Sequence, residues 1–203
     1  MTAIHRRAVL ATAVVLVAVV GAAPATAQSA QRWSLQGSAL VVVPSGSAYD
    51  GLNSGVGAEV QARYTPSALS WGFGVQYSSH GLDVPGFDER VSLAGPFVEP
   101  RYVLDVGRST FAPYLAARLA YLQQRLEVEG VKATAGGGQV NVGGGVLLRL
   151  SPRLNMDLGA TYGLINFGDV ELSAGGQTVK VDGTSGSGQN LVLRVGLAVG
   201  LGG

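Results

Sequence analysis

From Trp33 to Leu201 the chain repeatedly alternates apolar and polar residues one for one. Residues 55 to 65 show the pattern best. Val56, Ala58, Val60, Ala62 and Tyr64 fall on one face of an extended strand, and Gly57, Glu59, Gln61, Arg63 and Thr65 on the other. A period of two in segments of this length predicts β-strands, with one face in an apolar medium and one in a polar one. The same alternation places strands at 33–42, 55–65, 68–79, 91–104, 111–124, 138–150, 153–165 and 189–201. A tilted strand needs about 9 to 11 residues to cross a bilayer, and these segments meet that length.

The connections alternate as well. Pro66 with Ser67, and Ser151 with Pro152, are two-residue turns, and 105–110 is only slightly longer, whereas 43–54, 80–90, 125–137 and 166–188 are long. Short turns on one side and long loops on the other are the signature of an all-β, eight-stranded, antiparallel up-and-down transmembrane barrel with periplasmic turns and outer loops. Two of the long loops are themselves patterned. Arg125, Glu127 and Glu129 alternate with Leu126 and Val128 before Gly130, and Val179 and Val181 follow Ala174, Gly175 and Gly176. Both loops read either as projecting hairpins or as polar loops without fixed structure, the second most of all where Gly183 to Gly188 is entirely glycine, serine and threonine.

With the apolar parity outward, Leu69, Trp71, Phe73, Val75 and Tyr77 face lipid on the third strand, and Leu191, Leu193, Val195, Leu197 and Val199 on the last. Reversing the register would turn Arg194 or Asp157 toward hydrocarbon, at about 2 to 4 kcal/mol for an arginine near the midplane. Outward aromatics gather near the short-turn end: Trp33, Tyr64, Trp71, Tyr102 and Phe111 are expected to form an interfacial belt. A thinner set, Tyr77 and Tyr121, marks the other rim.

The inward parity collects Glu59, Arg63, Glu99, Arg101, Arg118, Arg149, Asp157 and Arg194. Two readings stand. Eight strands enclose just enough room for their own side chains, which favours a packed plug of ion pairs. The excess of arginine suggests a narrow anion-preferring passage instead. Pro96, Pro100 and Pro113 sit in strands whose amides should all be paired, so the fourth and fifth strands are expected to bulge or to be shorter than drawn.

The N-terminus has a basic start at His5, Arg6 and Arg7, an apolar run from Ala8 to Ala23, and Ala25, Thr26 and Ala27 in the small-x-small order that signal peptidase cleaves. The expected organisation is a signal peptide at 1–27 and a barrel domain at 28–203. Removing Arg6 and Arg7 from 14 basic residues leaves 12 against 13 acids, a net charge of −1 that gives nucleic-acid binding no support. There is no cysteine, hence no disulfide frame, lipid-attachment site or thiol chemistry.

Signal peptide, amphipathic strands, long outer loops, short turns and a charged lumen together resemble the small OmpA/OmpX-type outer-membrane barrels. The resemblance is one of architecture. It implies insertion by the barrel-assembly machinery, which in that family recognises a final alternating strand ending in an aromatic residue. Leu191 to Leu201 supplies the alternation, but the chain ends Leu201, Gly202, Gly203.

Some small outer-membrane barrels modify lipid A with a histidine, a serine and a carboxylate near the outer rim. His80 is the one histidine beyond the signal, with Ser78 on the same strand face and Asp83 following. Order and spacing do not match the hydrolase motif, and no catalytic residue is expected. Gly136 to Gly138 and Gly143 to Gly145 lack the lysine and the strand-to-helix setting of a phosphate loop and read as a bend or a crowded wall. The loops carry surplus acid at Asp50, Asp83, Asp88, Glu89, Glu127, Glu129, Asp169, Glu171 and Asp182, without metal-ligand spacing, so neither metal nor cofactor is expected. The sequence thus predicts a non-enzymatic outer-membrane barrel with a structural or surface-interaction role. Outer-membrane lipid and lipopolysaccharide surround it, and the loops' partner is unknown. A narrow pore and a lipid-modifying enzyme are the alternatives.

Overall fold

The computed structural model describes residues 32–83 and 89–202. The expected signal peptide and Asp88 lie outside the described residues. The strands are β1 (Trp33–Ser45), β2 (Leu52–Tyr64), β3 (Leu69–Leu82), β4 (Arg90–Val103), β5 (Phe111–Val128), β6 (Val131–Arg149), β7 (Leu154–Phe167), β8 (Val170–Ala174), β9 (Gln177–Val181) and β10 (Gly186–Leu201). Each long strand pairs antiparallel with its sequence neighbour. β10 closes the ring by pairing with both β1 and β7, and β5 pairs with β6, so eight strands form a closed wall. Closure leaves the wall no open edge, which is what hydrocarbon requires.

Burial follows the alternation. In β1 Ser34, Gln36, Ser38 and Leu40 are buried, while Trp33, Leu35, Val41 and Val43 are exposed. Trp71, Phe73, Val75 and Tyr77 of β3 and all the odd-numbered residues Leu191 to Leu201 of β10 are also exposed. In a soluble protein this outer surface would be an aggregation hazard; in a bilayer it is the apolar band. Trp33, Trp71 and Phe111 are exposed, Tyr64 and Tyr102 half-buried, and all five lie on the outward parity near the short-turn end. The Trp33 and Tyr64 ring centroids lie 4.9 Å apart with the planes tilted by 38°.

The bounds of two long loops are corrected, and of the two readings of them the hairpin holds. The third outer loop, drawn at 125–137, is strand: β5 and β6 run on to a two-residue turn at Glu129 and Gly130, both at positive φ (48° and 81°). That is the type I′ geometry whose twist suits a hairpin. Within 166–188, β8 and β9 form a second hairpin across Gly175 and Gly176, and β8 pairs with Lys132–Thr134 of β6. Strands of 18 and 19 residues exceed the roughly 9 to 11 that cross a bilayer, so this side of the barrel projects beyond the membrane as an added sheet.

The prolines neither bulge nor shorten β4. Its register against β5 stays constant from Ser92↔Arg125 to Val103↔Tyr114, but pairs are missing at 95–96 and at 99–100. The ladder breaks locally where Pro96 and Pro100 remove donors. At Pro113 the carbonyl still accepts a bond from the Leu104 amide at 2.8 Å.

Candidate functional site: the barrel lumen

Inward positions from β2, β4, β5, β7 and β10 bring seven of the eight expected lumen charges into one cluster. Glu99 lies at its centre. Its Oε1 accepts from Arg63 Nη2 at 2.9 Å and Arg101 Nε at 2.6 Å, and its Oε2 meets Arg118 Nη2 at 2.5 Å and Arg194 Nη1 at 2.9 Å. Glu59 takes Arg118 at 2.7 Å and Arg194 at 3.2 Å, and Asp157 takes Arg101 at 2.9 Å. All seven side chains are buried. Arg149 shares the inward parity of buried Leu147 but ends β6, where it is half-buried.

Four guanidinium groups face three carboxylates, and neutral side chains take up the difference. Gln61 and Gln76 accept from Arg63 and Arg118 through Oε1, at 2.8 and 2.7 Å. Asp157 also accepts from the Tyr114 hydroxyl and from Gln36 Nε2, both at 2.6 Å. Arg118 lies 3.9 Å from the Phe97 ring centroid and Arg101 4.4 Å from that of Tyr114, both within cation–π range. A buried charge is costly unless paired and hydrogen-bonded, and here each carboxylate has more than one donor.

Strand periodicity did not reveal what lies above and below the charges. Toward the short turns, Val103, Ala112, Tyr114, Ala116 and Leu147 form a buried apolar layer; toward the long loops, Tyr49, Val91, Leu93, Leu122, Ala135, Ile165 and Phe167 form another. Tyr49 comes from a short 3-10 turn, Ser47–Tyr49, that folds back over the lumen, and its ring meets Phe167 edge-on at 5.9 Å. Burial pushes the Tyr49 hydroxyl up to about 12, against a lowering from its bond to Asn190. Runs such as Val91, Leu93 and the inward Ile165 were the available signal, because apolar residues on the polar parity imply a sealed end. Two cavities inside the barrel measure about 20 and 30 Å³, room for about one water apiece.

Ser78 and His80 are brought together. Asn53 can only accept through its carbonyl, so the His80 Nδ1–H donates to it at 3.0 Å, leaving Nε2 to accept from the Ser78 hydroxyl at 3.0 Å. Both side chains are buried and face the smaller cavity, beneath Tyr49. His80 bridges a place where the β2–β3 register slips between Leu52 and Gly55, so its ring bonds a carbonyl at an irregular point of the ladder.

The chain has parallels among solved structures. Neisserial surface protein A is 22% identical, with a TM-score of 0.58 over 83% of this chain and 97% of that one. A major outer membrane protein from Thermus thermophilus is 14% identical, with a TM-score of 0.50 over 82% and 98%. No curated protein sequence matches. At these identities the likeness shows the fold, which is the closed eight-stranded barrel described above. The family described as outer membrane protein beta-barrel domain matches residues 12–198, nearly the whole chain, and so the protein belongs to that family and resides in the outer membrane.

Proposed function

We propose that this protein is a non-enzymatic, non-conducting outer-membrane scaffold whose plugged barrel holds an extracellular sheet for contact with the surroundings. The carrying observation is the lumen. The Glu99-centred cluster spans it, apolar layers cover the cluster at both ends, and the two cavities beside the cluster are water-sized. The arginines that motivated an anion passage are engaged with carboxylates and glutamines, which removes the reason for anion preference. Ser78 and His80 face this closed interior, away from the lipid that an outer-membrane hydrolase must reach.

The projecting sheet supports a surface role. On one face, cross-strand neighbours Leu126, Ala133, Leu172 and Val179 form an apolar row; on the other, Arg125, Thr134, Glu171 and Lys180 form a polar one. Val131, Leu172 and Val179 are exposed on the apolar side. Export through a signal peptide cleaved after Ala27, and insertion by the barrel-assembly machinery through β10, belong to the same proposal.

Planar-bilayer recording on the refolded barrel tests it. Absence of discrete channels is expected. Anion-selective steps from the wild-type protein would overturn the plug and restore the arginine-lined passage.

A further inference from the structure

Two arginines stand on the outer wall rather than in the lumen. Arg90 begins β4 and alternates with buried Val91; Arg125 lies on β5 and is exposed, as Arg90 is. Ser92 is paired with Arg125 on one side and with Ser79 on the other, so Ser79, Ser92 and Arg125 form one outward row. Arg90 is two residues from Ser92 on the same face. It is therefore a diagonal neighbour of Arg125, with backbones about 7 to 8 Å apart, a gap that two long side chains bridge readily.

The height of this row follows from the aromatics beneath it. Tyr77 lies two residues below Ser79 and Tyr121 four below Arg125, and both rings are exposed on the lipid face near the long-loop end. Two residues of strand rise about 6.8 Å, or roughly 5 Å along the membrane normal at a tilt of about 45°. Tyrosines mark the hydrocarbon boundary, so the arginines fall in the headgroup layer.

Both guanidinium groups are held against the wall with donors to spare. Arg90 Nε bonds Ser79 Oγ at 2.7 Å and Nη2 bonds the Ser79 carbonyl at 3.3 Å, while Arg125 Nη2 bonds Gln123 Oε1 at 2.6 Å. These bonds engage two of the five N–H groups of Arg90 and one of the five of Arg125. Glu127, which the same register sets across from Arg90, has its carboxylate 3.7 Å from Lys132 Nζ, so that cation offsets its charge beside the pair. Two oriented guanidiniums flanked by the Ser79 and Ser92 hydroxyls match the oxygens of a phosphate group, which takes fork-like hydrogen bonds.

We propose that Arg90 and Arg125, with Ser79 and Ser92, bind the phosphate of a phosphorylated lipid headgroup in the outer leaflet. The site adds to the scaffold reading and stands apart from the plug, because neither arginine faces the lumen. Bilayer conductance and lipid binding can therefore fail separately.

The test is native mass spectrometry of the folded mature barrel in detergent with phosphatidic acid, whose headgroup is a phosphate monoester, and with phosphatidylcholine as control. The wild-type protein is expected to retain phosphatidic acid preferentially. Arg90→Gln with Arg125→Gln should lower that retention by roughly tenfold, consistent with losing charge-assisted bonds, and Arg153→Gln at a short turn should leave it unchanged. A gel-mobility shift on boiling verifies that each variant is folded. Millimolar inorganic phosphate should not displace the lipid. Equal retention by the double variant, or displacement by free phosphate, would overturn the proposal.

Discussion

Glu99 on β4 and Arg194 on β10 stand four strands apart whichever way the ring is counted, yet Oε2 and Nη1 meet at 2.9 Å. The contact spans the barrel's diameter. It ties opposite walls through one carboxylate that also holds Arg63, Arg101 and Arg118. Glu99→Ala would leave four buried guanidiniums short of a partner, whereas Glu59→Ala affects two. Removing one partner of a buried pair costs about 3 to 5 kcal/mol. Urea unfolding in lipid vesicles should rank Glu99→Ala as most destabilised, then Glu59→Ala, with lipid-facing Val60→Ala far behind. Equal midpoints for all three would mean that the cluster is wet and weakly coupled.

Much of this was legible because a strand's side-chain period is two. Glu59, Arg63, Arg118, Asp157 and Arg194 are each flanked by apolar residues on the opposite parity, so one choice of face settled them together. Hydrophobic alternation could not show where the membrane stops. Arg125, Leu126, Glu127 and Val128 alternate just as the spanning residues do, because the projecting sheet has an apolar and a polar face of its own, and it is their pairing with Val131–Thr134, and that strand's pairing with β8, that decides for a hairpin over an unstructured loop. Tyr49 was illegible for another reason. It reaches the lumen from a turn, where no periodicity assigns a face.

Gly159, the cross-strand partner of Gly145 in the run read as a crowded wall, has a specific role. A methyl group there would stand 2.6 Å from the Tyr114 hydroxyl and 3.1 Å from Arg194 Nη2. Neither can yield without disturbing the bonds from Tyr114 to Asp157 at 2.6 Å and from Arg194 to Tyr114 at 3.0 Å. Gly159→Ala is expected to cost about 1 to 3 kcal/mol, as overpacking does. In a Tyr114→Phe background, where the hydroxyl is gone, the added cost should be smaller. Strict additivity of the two substitutions would show that they do not share a space.

Outside the membrane, Asp169 and Lys180 tie the chain entering β8 to β9 at 3.2 Å. The hydrogen bond from Lys180 holds the Asp169 carboxyl below the usual aspartate range, helped by the charge of Lys180 and by backbone donors at Gly183 and Ser185. A depressed carboxylate contributes stability that is present above its unfolded value, near about 4, and that fades as the pH falls through the lower folded value. Local order of the β8–β9 hairpin, followed by NMR in detergent, should therefore persist at neutral pH and loosen only in strong acid. Lys180→Met should return the Asp169 titration toward its ordinary aspartate value. An unchanged titration in that variant would remove the ion pair from the account.

The alternating connections make sidedness measurable. Asp182 follows β9 on the projecting side, and Ser67 lies in the short turn 65–68 between β2 and β3 at the opposite end; both are exposed. With no cysteine in the chain, single cysteines at these positions report without background. A membrane-impermeant maleimide applied to intact cells should modify Asp182→Cys and leave Ser67→Cys untouched until the envelope is opened. The converse pattern would place the Trp33, Tyr64, Trp71, Tyr102 and Phe111 rim outside. It would also turn the β5–β6 and β8–β9 hairpins toward the periplasm. Their apolar row from Leu126 to Val179 would then face envelope components, and the surface-contact role would have to be abandoned even though the plugged barrel itself stood.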